Sequence, residues 1–96
     1  MKDIRNMFIT HGWTIAYDEF HIDFNIPFHQ QINELNEDLI QVRKDDYLID
    51  IGWYPEMNPN GKIRTVLIKN NNWNQPEKIF EDSNYDDFIN HIYIFL

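Results

Sequence analysis

Two apolar runs separated by a turn sequence dominate the middle of the chain, within residues 45–80. The first run, Tyr47–Tyr54 (YLIDIGWY), is followed by Pro55, which cannot donate a hydrogen bond to a β-ladder. The second run covers residues 63–69 (IRTVLIK), and residues 58–61 between them (NPNG) are of the types that turns favour. Apolar runs joined in this way predict a β-hairpin with a long loop.

Successive side chains of a strand point to opposite faces, and the two faces of the first run differ. One face carries only aromatic and aliphatic residues: Tyr47, Ile49, Ile51 and Trp53. The other carries Leu48, Asp50, Gly52 and Tyr54. A carboxylate seldom lies in a core, so Asp50 marks the second face as the more solvated one.

The N-terminal part of the chain predicts one hairpin and a short element before it. Residues 13–17 (WTIAY) and 20–26 (FHIDFNI) predict two strands joined by a turn at Asp18-Glu19, because the second run alternates apolar and polar residues. Residues 2–10 predict a short helix that ends near Gly12, with a strand beginning near Met7 as the alternative.

The polar residues 28–38 fit either a short helix or an irregular segment, because Ile32, Leu35 and Leu39 recur at spacings of three and four. Residues 39–42 (LIQV) favour a strand that pairs with residues 47–54 through the charged turn 43–46 (RKDD). The alternative is that the helix continues to Arg43.

After the hairpin, the Asn-rich residues 70–76 predict a loop that contains Trp73, and residues 77–80 (EKIF) predict a short strand. Ser83 is the predicted N-cap of a helix, with Asp86 at the third helical position as in a capping box. The helix would present an apolar stripe of Tyr85, Phe88, Ile89 and Ile92, and the apolar residues 93–96 would dock against the sheet.

These elements predict an α+β fold: an antiparallel sheet with the C-terminal helix, and a short N-terminal helix if one forms, packed on one face. A length of 96 residues predicts a single domain, residues 1–96. The absence of cysteine excludes disulfides and thiolate metal sites. No secretory signal and no apolar run of membrane-spanning length is present, so we expect a cytoplasmic protein without a membrane partner.

The charge of the chain is −8, from sixteen acidic and eight basic residues. An acidic surface repels phosphate backbones, which argues against a nucleic-acid partner. It is compatible with simple solubility or with a basic protein partner. Aromatic residues make up 16% of the chain, which suits both cores and binding surfaces.

The sequence gives little support for catalysis. His21 and Asp23 form an H-x-D pair on one face of a predicted strand, but no second ligand pair follows at a fixed spacing. There is no cysteine nucleophile, no Ser-containing elbow and no Gly-rich phosphate loop. We therefore expect a protein that is not an enzyme and has no cofactor or metal, with a small metal-dependent hydrolase using His21 and Asp23 as the alternative.

Paired carboxylates and aromatic residues near loops are the candidate binding residues. A solvated rim explains the acids most simply, and a core position explains each tryptophan, yet both could serve a basic partner. The candidates are Asp45, Asp46, Trp53, Tyr54, Glu56, Trp73, Glu81, Asp82, Asp86 and Asp87.

The run IDIGWYPEMNPNGKIRTVLIKNNNWNQPEKIF, followed by DSNYDDFINHI, resembles immunity proteins of bacterial contact-dependent growth inhibition systems and related polymorphic toxins. The similar features are the strand that runs into Gly-Trp-Tyr-Pro-Glu, the Asn-Gly turn, the strand ending in Lys-Asn-Asn and the Trp-x-x-Pro loop. The resemblance covers residues 49–92, about half of the chain, and supplies no binding residues because each toxin pair uses its own contacts.

The resemblance implies a cytoplasmic protein that binds and neutralises a cognate toxin domain, in many cases a nuclease. We expect the chain to be a monomer that binds this toxin. A nuclease needs a basic cleft for its substrate, and an acidic domain could fill that cleft. An acidic adaptor with a non-toxin partner is a further alternative.

Overall fold

The structure is a computed structural model that describes residues 3–96. A five-stranded antiparallel sheet has its strands in chain order, and two α-helices pack on one of its faces. The elements are α1 (Ile4–Thr10), β1 (Thr14–Asp18), two 3₁₀ turns (Phe28–Gln30 and Ile32–Glu34), β2 (Ile40–Lys44), β3 (Tyr47–Tyr54), β4 (Lys62–Lys69), β5 (Lys78–Asp82) and α2 (Tyr85–Phe95). The predicted α+β class is confirmed.

Strand β3 is the centre of the sheet, as the sequence predicts. It pairs along its whole length with β4, from Tyr47 opposite Lys69 to Tyr54 opposite Lys62, and β2 pairs with its first half. Pro55, whose peptide bond with Tyr54 is cis, follows the last residue of β3. The predicted turn is present, with the Gly61 amide donating to the Asn58 carbonyl over 2.9 Å.

The core lies between the sheet and the helices. On β3 it takes Ile49, Ile51 and Trp53, the dry face that alternation predicts. Helix α2 contributes Phe88, Ile89 and Ile92, which are the buried members of the predicted stripe, while Tyr85 at its start is half-buried. Burying a large apolar side chain contributes about 1.5–3 kcal/mol.

Helix α1 confirms the predicted N-terminal helix rather than the alternative strand, and Lys2 of that prediction lies outside the described residues. The Asp3 carboxylate caps its first turn by accepting from the Arg5 amide. The Arg5 guanidinium then donates to the Asp18 carboxylate at the end of β1, with Nη2 2.8 Å from Oδ1. This ion pair fixes the short helix to the sheet.

The predicted hairpin of residues 13–17 and 20–26 is wrong, because residues 20–26 form no strand and β1, which includes Asp18, pairs with β2 instead. The alternation of residues 20–26 is real, since Phe20 and Ile22 are buried, but the segment is irregular because a side chain takes its hydrogen bonds. The Gln31 side chain accepts from the Asp23 amide and donates to the Asp23 and Ile26 carbonyls. Phe20 instead stacks on Phe88 of α2, with ring centroids 6.1 Å apart.

Several element boundaries also differ from the prediction. The residues between Pro27 and Leu39 form two 3₁₀ turns rather than one helix, so the irregular alternative holds. The β2–β3 turn contains only Asp45 and Asp46, with Asp45 at φ 54°, because Arg43 and Lys44 remain in the strand. Strand β5 ends two residues later than expected, at Asp82.

The cap of α2 is Asn84 rather than Ser83. The Asn84 Oδ1 accepts from the Asp87 amide over 2.9 Å, and its Nδ2 donates to the Asp87 carboxylate. Asn and Ser serve equally well as caps, so the motif shifts by one residue without a change in chemistry. The helix extends through Phe95; Phe95 and Leu96 pack against the core, whereas Tyr93 and Ile94 are exposed. In the described chain, neither helix is long and apolar enough to cross a membrane.

Candidate functional site

The sheet face opposite the helices, here called the open face, is the most distinctive surface of the molecule. Strand register places Asp50 beside Gln41 of β2 and Val66 of β4 on this face. Arg64 lies opposite Gly52 on one side and Glu81 of β5 on the other. The face therefore combines apolar residues with charged groups of both signs.

The loop between β4 and β5 partly covers the open face. Asn70 and Asn71 adopt positive φ values of 55° and 57°, a conformation that asparagine tolerates, and the Asn70 amide donates to the Asp46 carbonyl. The turn that follows places Trp73 in the lining of a groove that Ile68, which is fully buried, also lines. Trp73 keeps 49% of its surface exposed, so it is an aromatic side chain that a partner can reach.

The groove lies between this loop and the middle of the sheet. Its lining consists of Asp50, Tyr54, Arg64, Val66, Ile68, Trp73 and Pro76. Its volume is about 170 Å³, below the roughly 300 Å³ at which small-molecule pockets begin. The groove can take one side chain of a partner rather than a whole metabolite.

Cation–π and hydrogen-bond contacts connect the aromatic and charged side chains at the groove. The Arg64 guanidinium lies over the Tyr54 ring, 5.4 Å from its centroid. The Nε of Arg64 is buried without a hydrogen-bond partner in residues 3–96. Asp50 Oδ1 accepts a hydrogen bond from Nε2 of the Gln41 side chain over 3.1 Å. Burial is the largest influence on the Asp50 carboxyl, and its pKa is raised. The Gln41 hydrogen bond and the charge of Arg64 act against this rise in pKa, whereas the charge of Asp38 adds to it.

Residues 35–39 bring two further carboxylates to the same face. The Trp53 amide donates to the Asn36 carbonyl, and a Cβ at Gly52 would collide with the carbonyl of Glu37. Only glycine admits this close approach of the chain to β3. Burial raises the pKa of the Tyr54 phenol, and the charges of Asp50, Glu37 and Asp38 raise it further.

The ten candidate residues do not form one patch. Strand register places Asp45 and Asp46 at one end of the sheet, the Asp45 end, beside Lys69. Four others lie at or beyond the opposite end, the Tyr54 end, roughly 23 Å away along β3: Glu56, Glu81, Asp86 and Asp87. Tyr54 and Trp73 line the groove.

Two candidates are corrected by their burial. Trp53 is 0% exposed, and its indole donates to the Asn58 carbonyl over 2.7 Å, so it is a core residue and cannot anchor a partner. Asp82 is 5% exposed because it faces α2, where it bonds His91 Nδ1 over 2.8 Å. The His91 ring stacks on Phe80, which makes this pair a link between α2 and β5.

Among the described residues, His21 and Asp23, the H-x-D pair, do not lie in a formed metal-binding or catalytic site. His21 is exposed and contacts the Glu19 carboxylate over 3.3 Å, while Asp23 contributes to the irregular segment. Within residues 3–96, no three histidine or carboxylate side chains are placed to share a metal ion. The hydrolase alternative therefore receives no support from the geometry.

Asp50 and Arg64 line the groove and Gln41 bonds Asp50, yet the sequence did not single out these residues as binding residues. The alternation of β3 does identify Asp50 as a polar group on the second face, and this part of the prediction is confirmed. Arg64 follows from the same alternation in β4. The missing signal is the path of residues 70–76, which directly follow β4 and fold back to line the groove.

Comparison with known proteins yields no match: no family model fits the chain, and no curated protein or solved structure is significantly similar to it. The resemblance of residues 49–92 to immunity proteins remains a prediction from those residues alone.

Proposed function

We propose that this chain is an immunity protein that binds and neutralises a cognate bacterial toxin domain in the cytoplasm, with the open face as its binding surface. The observation that carries this proposal is the half-exposed Trp73 beside a partly buried carboxylate, Asp50, on a sheet face without a covering helix. Exposed tryptophan next to a shielded polar group is typical of binding hot spots.

The charge distribution supports a basic partner. The Tyr54 end carries Glu56, Glu81, Asp86 and Asp87, all exposed, and Glu37 and Asp38 extend this charge onto the open face. Such a surface attracts a basic cleft of the kind that a nuclease uses for its substrate, and occupying that cleft would exclude the nucleic acid. Asp45 and Asp46 lie at the other end, so the proposal assigns them no contact.

Co-purification tests the proposal. The tagged chain is co-expressed with each candidate toxin domain that a neighbouring gene encodes, and the complex is isolated by the tag. We expect a one-to-one complex with one of these domains and survival of cells that otherwise die from that toxin. If all of these domains stay free and the cells stay unprotected, the proposal is rejected; a complex with a non-toxin protein would favour the adaptor alternative.

The acidic end has its own test. Replacing Glu81, Asp86 and Asp87 with the corresponding amides should lower the association rate about tenfold and flatten its salt dependence, because long-range attraction speeds encounter. Stopped-flow measurements at two salt concentrations check this. An unchanged rate would contradict the electrostatic part of the proposal.

A further inference from the structure

The groove on the open face is lined by one carboxylate, Asp50, one guanidinium, Arg64, and an aromatic ring, Trp73, that remains accessible. Two further carboxylates, Glu37 and Asp38, lie close enough to raise the pKa of the Tyr54 phenol in the same lining. Arg64 is already held over the Tyr54 ring, whereas the Trp73 ring on the loop side is half-exposed. The groove is therefore asymmetric, with its own cation on one side and a free aromatic face on the other.

The hydrogen bonds of Asp50 point the same way. Among residues 3–96, Gln41 is its one hydrogen-bond partner, and that bond uses Oδ1. A carboxylate accepts several hydrogen bonds, and Asp50 has only the one, in a partly buried place. A carboxylate that is partly shielded from water forms strong charge-assisted hydrogen bonds, so a cationic donor that enters the groove would gain a strong interaction.

The volume of about 170 Å³ limits the occupant to something the size of one side chain. A guanidinium fits the chemistry better than an ammonium, because its planar group stacks on an aromatic ring while its N–H groups pair with a carboxylate. Its charge also matches the negative surroundings of the groove.

From these observations we infer that the groove binds one arginine side chain of the partner, stacked on Trp73 and paired with Asp50. The inference deepens the proposed function and rests on it for the identity of the partner. It assigns Asp50 and Trp73 as the residues that recognise a basic toxin, with the acidic Tyr54 end providing long-range attraction.

A small probe tests the groove without any toxin. N-acetyl-L-arginine N-methylamide is titrated into the full chain, and amide shifts of Trp73 and Asp50 are followed by NMR. We expect saturable binding with a dissociation constant on the order of 1–10 mM. The citrulline counterpart, which is uncharged and of the same shape, should bind at least about fivefold more weakly.

Variants of the charged groove residues test whether the groove binds a cation or an anion. Asp50→Asn should weaken binding of the arginine probe about fivefold or more, and Trp73→Ala about two- to fivefold. Arg64→Gln should tighten it about two- to fivefold, because a like charge is removed. Asp45→Asn removes the same charge at the far end and should change nothing.

Equal binding of the arginine and citrulline probes would overturn the inference, as would the absence of saturable shifts. The opposite pattern, with Arg64→Gln weakening and Asp50→Asn strengthening the binding of acetate, would assign the groove to an anion instead. Thermal unfolding of each variant confirms that the fold is retained, and a variant that unfolds is replaced by Asp50→Glu or Trp73→Phe.

The two proposals fail separately. If the Asp50→Asn variant binds the toxin with unchanged affinity, the proposed function stands and the binding of an arginine side chain in the groove is rejected. If the groove binds the arginine probe but the chain forms no toxin complex, arginine binding in the groove stands and the immunity function is rejected.

Discussion

The two faces of the same sheet use their aromatic residues in opposite ways. On the covered face, Trp53 is completely buried and its indole is hydrogen-bonded, and Phe20 stacks on Phe88. On the open face, Trp73 is half-exposed and borders charged groups. Aromatic content alone therefore does not distinguish the two faces, whereas the burial of the aromatic residues does.

The largest expected effect separates the faces by stability. Phe88→Ala should lower the free energy of unfolding by about 3–5 kcal/mol, because it leaves a cavity in the core. Trp73→Ala should lower it by only about 1–2 kcal/mol, since half of the Trp73 surface is already in water. Urea unfolding measures both. A similar loss for the two variants would mean that Trp73 is a structural residue.

Gly52 tests the contact between residues 35–39 and the open face. Gly52→Ala should cost about 1–3 kcal/mol, since the added Cβ would collide with the Glu37 carbonyl and displace that segment. Thr14→Ala, an exposed position on the same face, should change stability by less than about 0.5 kcal/mol. Equal values for the two variants would show that the segment is not fixed against β3.

Asp18 and Asp50 should respond to pH with opposite signs. The hydrogen bond from Arg5 lowers the pKa of Asp18 below its usual 3.8, so its contribution is present at neutral pH and is lost as the pH falls through that lowered pKa. Burial raises the pKa of Asp50 above 3.8, so its ionised form opposes folding at neutral pH, and this cost disappears as the pH falls towards 3.8.

At pH 7, Asp18→Asn should therefore lower the free energy of unfolding by about 1.5 kcal/mol, and the difference from the parent should shrink near pH 3. Asp50→Asn should leave stability unchanged or raise it slightly at pH 7. Chemical unfolding at both pH values compares them. A destabilised Asp50→Asn variant would indicate that the carboxylate serves the fold rather than a partner.

The smallest effect concerns the cap of α2. Asn84→Ala should cost about 1 kcal/mol through loss of the bond from the Asp87 amide, whereas Ser83→Ala should stay within about 0.5 kcal/mol. Thermal unfolding of the two variants checks the assignment. The reverse order would restore Ser83 as the cap.

The sequence predicts the parts of this fold that depend on local pattern. The alternation of β3 correctly places Ile49 and Ile51 in the core and Asp50 on the second face. The same rule fails for residues 20–26, because the Gln31 side chain replaces the neighbouring strand as the hydrogen-bond partner. The hydrophobic periodicity of residues 20–26 cannot predict hydrogen bonds to the side chain of Gln31.

The candidate site shows the same limit. Acidic pairs look alike in sequence, but register sends Asp45 and Asp46 to one end of the sheet and Glu81 to the other, and it buries Asp82 under α2. The groove depends on how residues 70–76 fold back over β4, which follows from left-handed Asn70 and Asn71 and from packing. Such information is absent from any single stretch of the chain.

The most direct measurement compares the affinity of a purified toxin domain, one that a neighbouring gene encodes, for variants of the two faces. The account predicts that Asp50→Asn combined with Trp73→Ala weakens binding at least about 30-fold, as expected for loss of a hot spot. Ile94→Glu, at a 64% exposed position of α2 on the helix side, should bind as the parent chain does. A loss of binding with Ile94→Glu, and none with the open-face variant, would contradict the account.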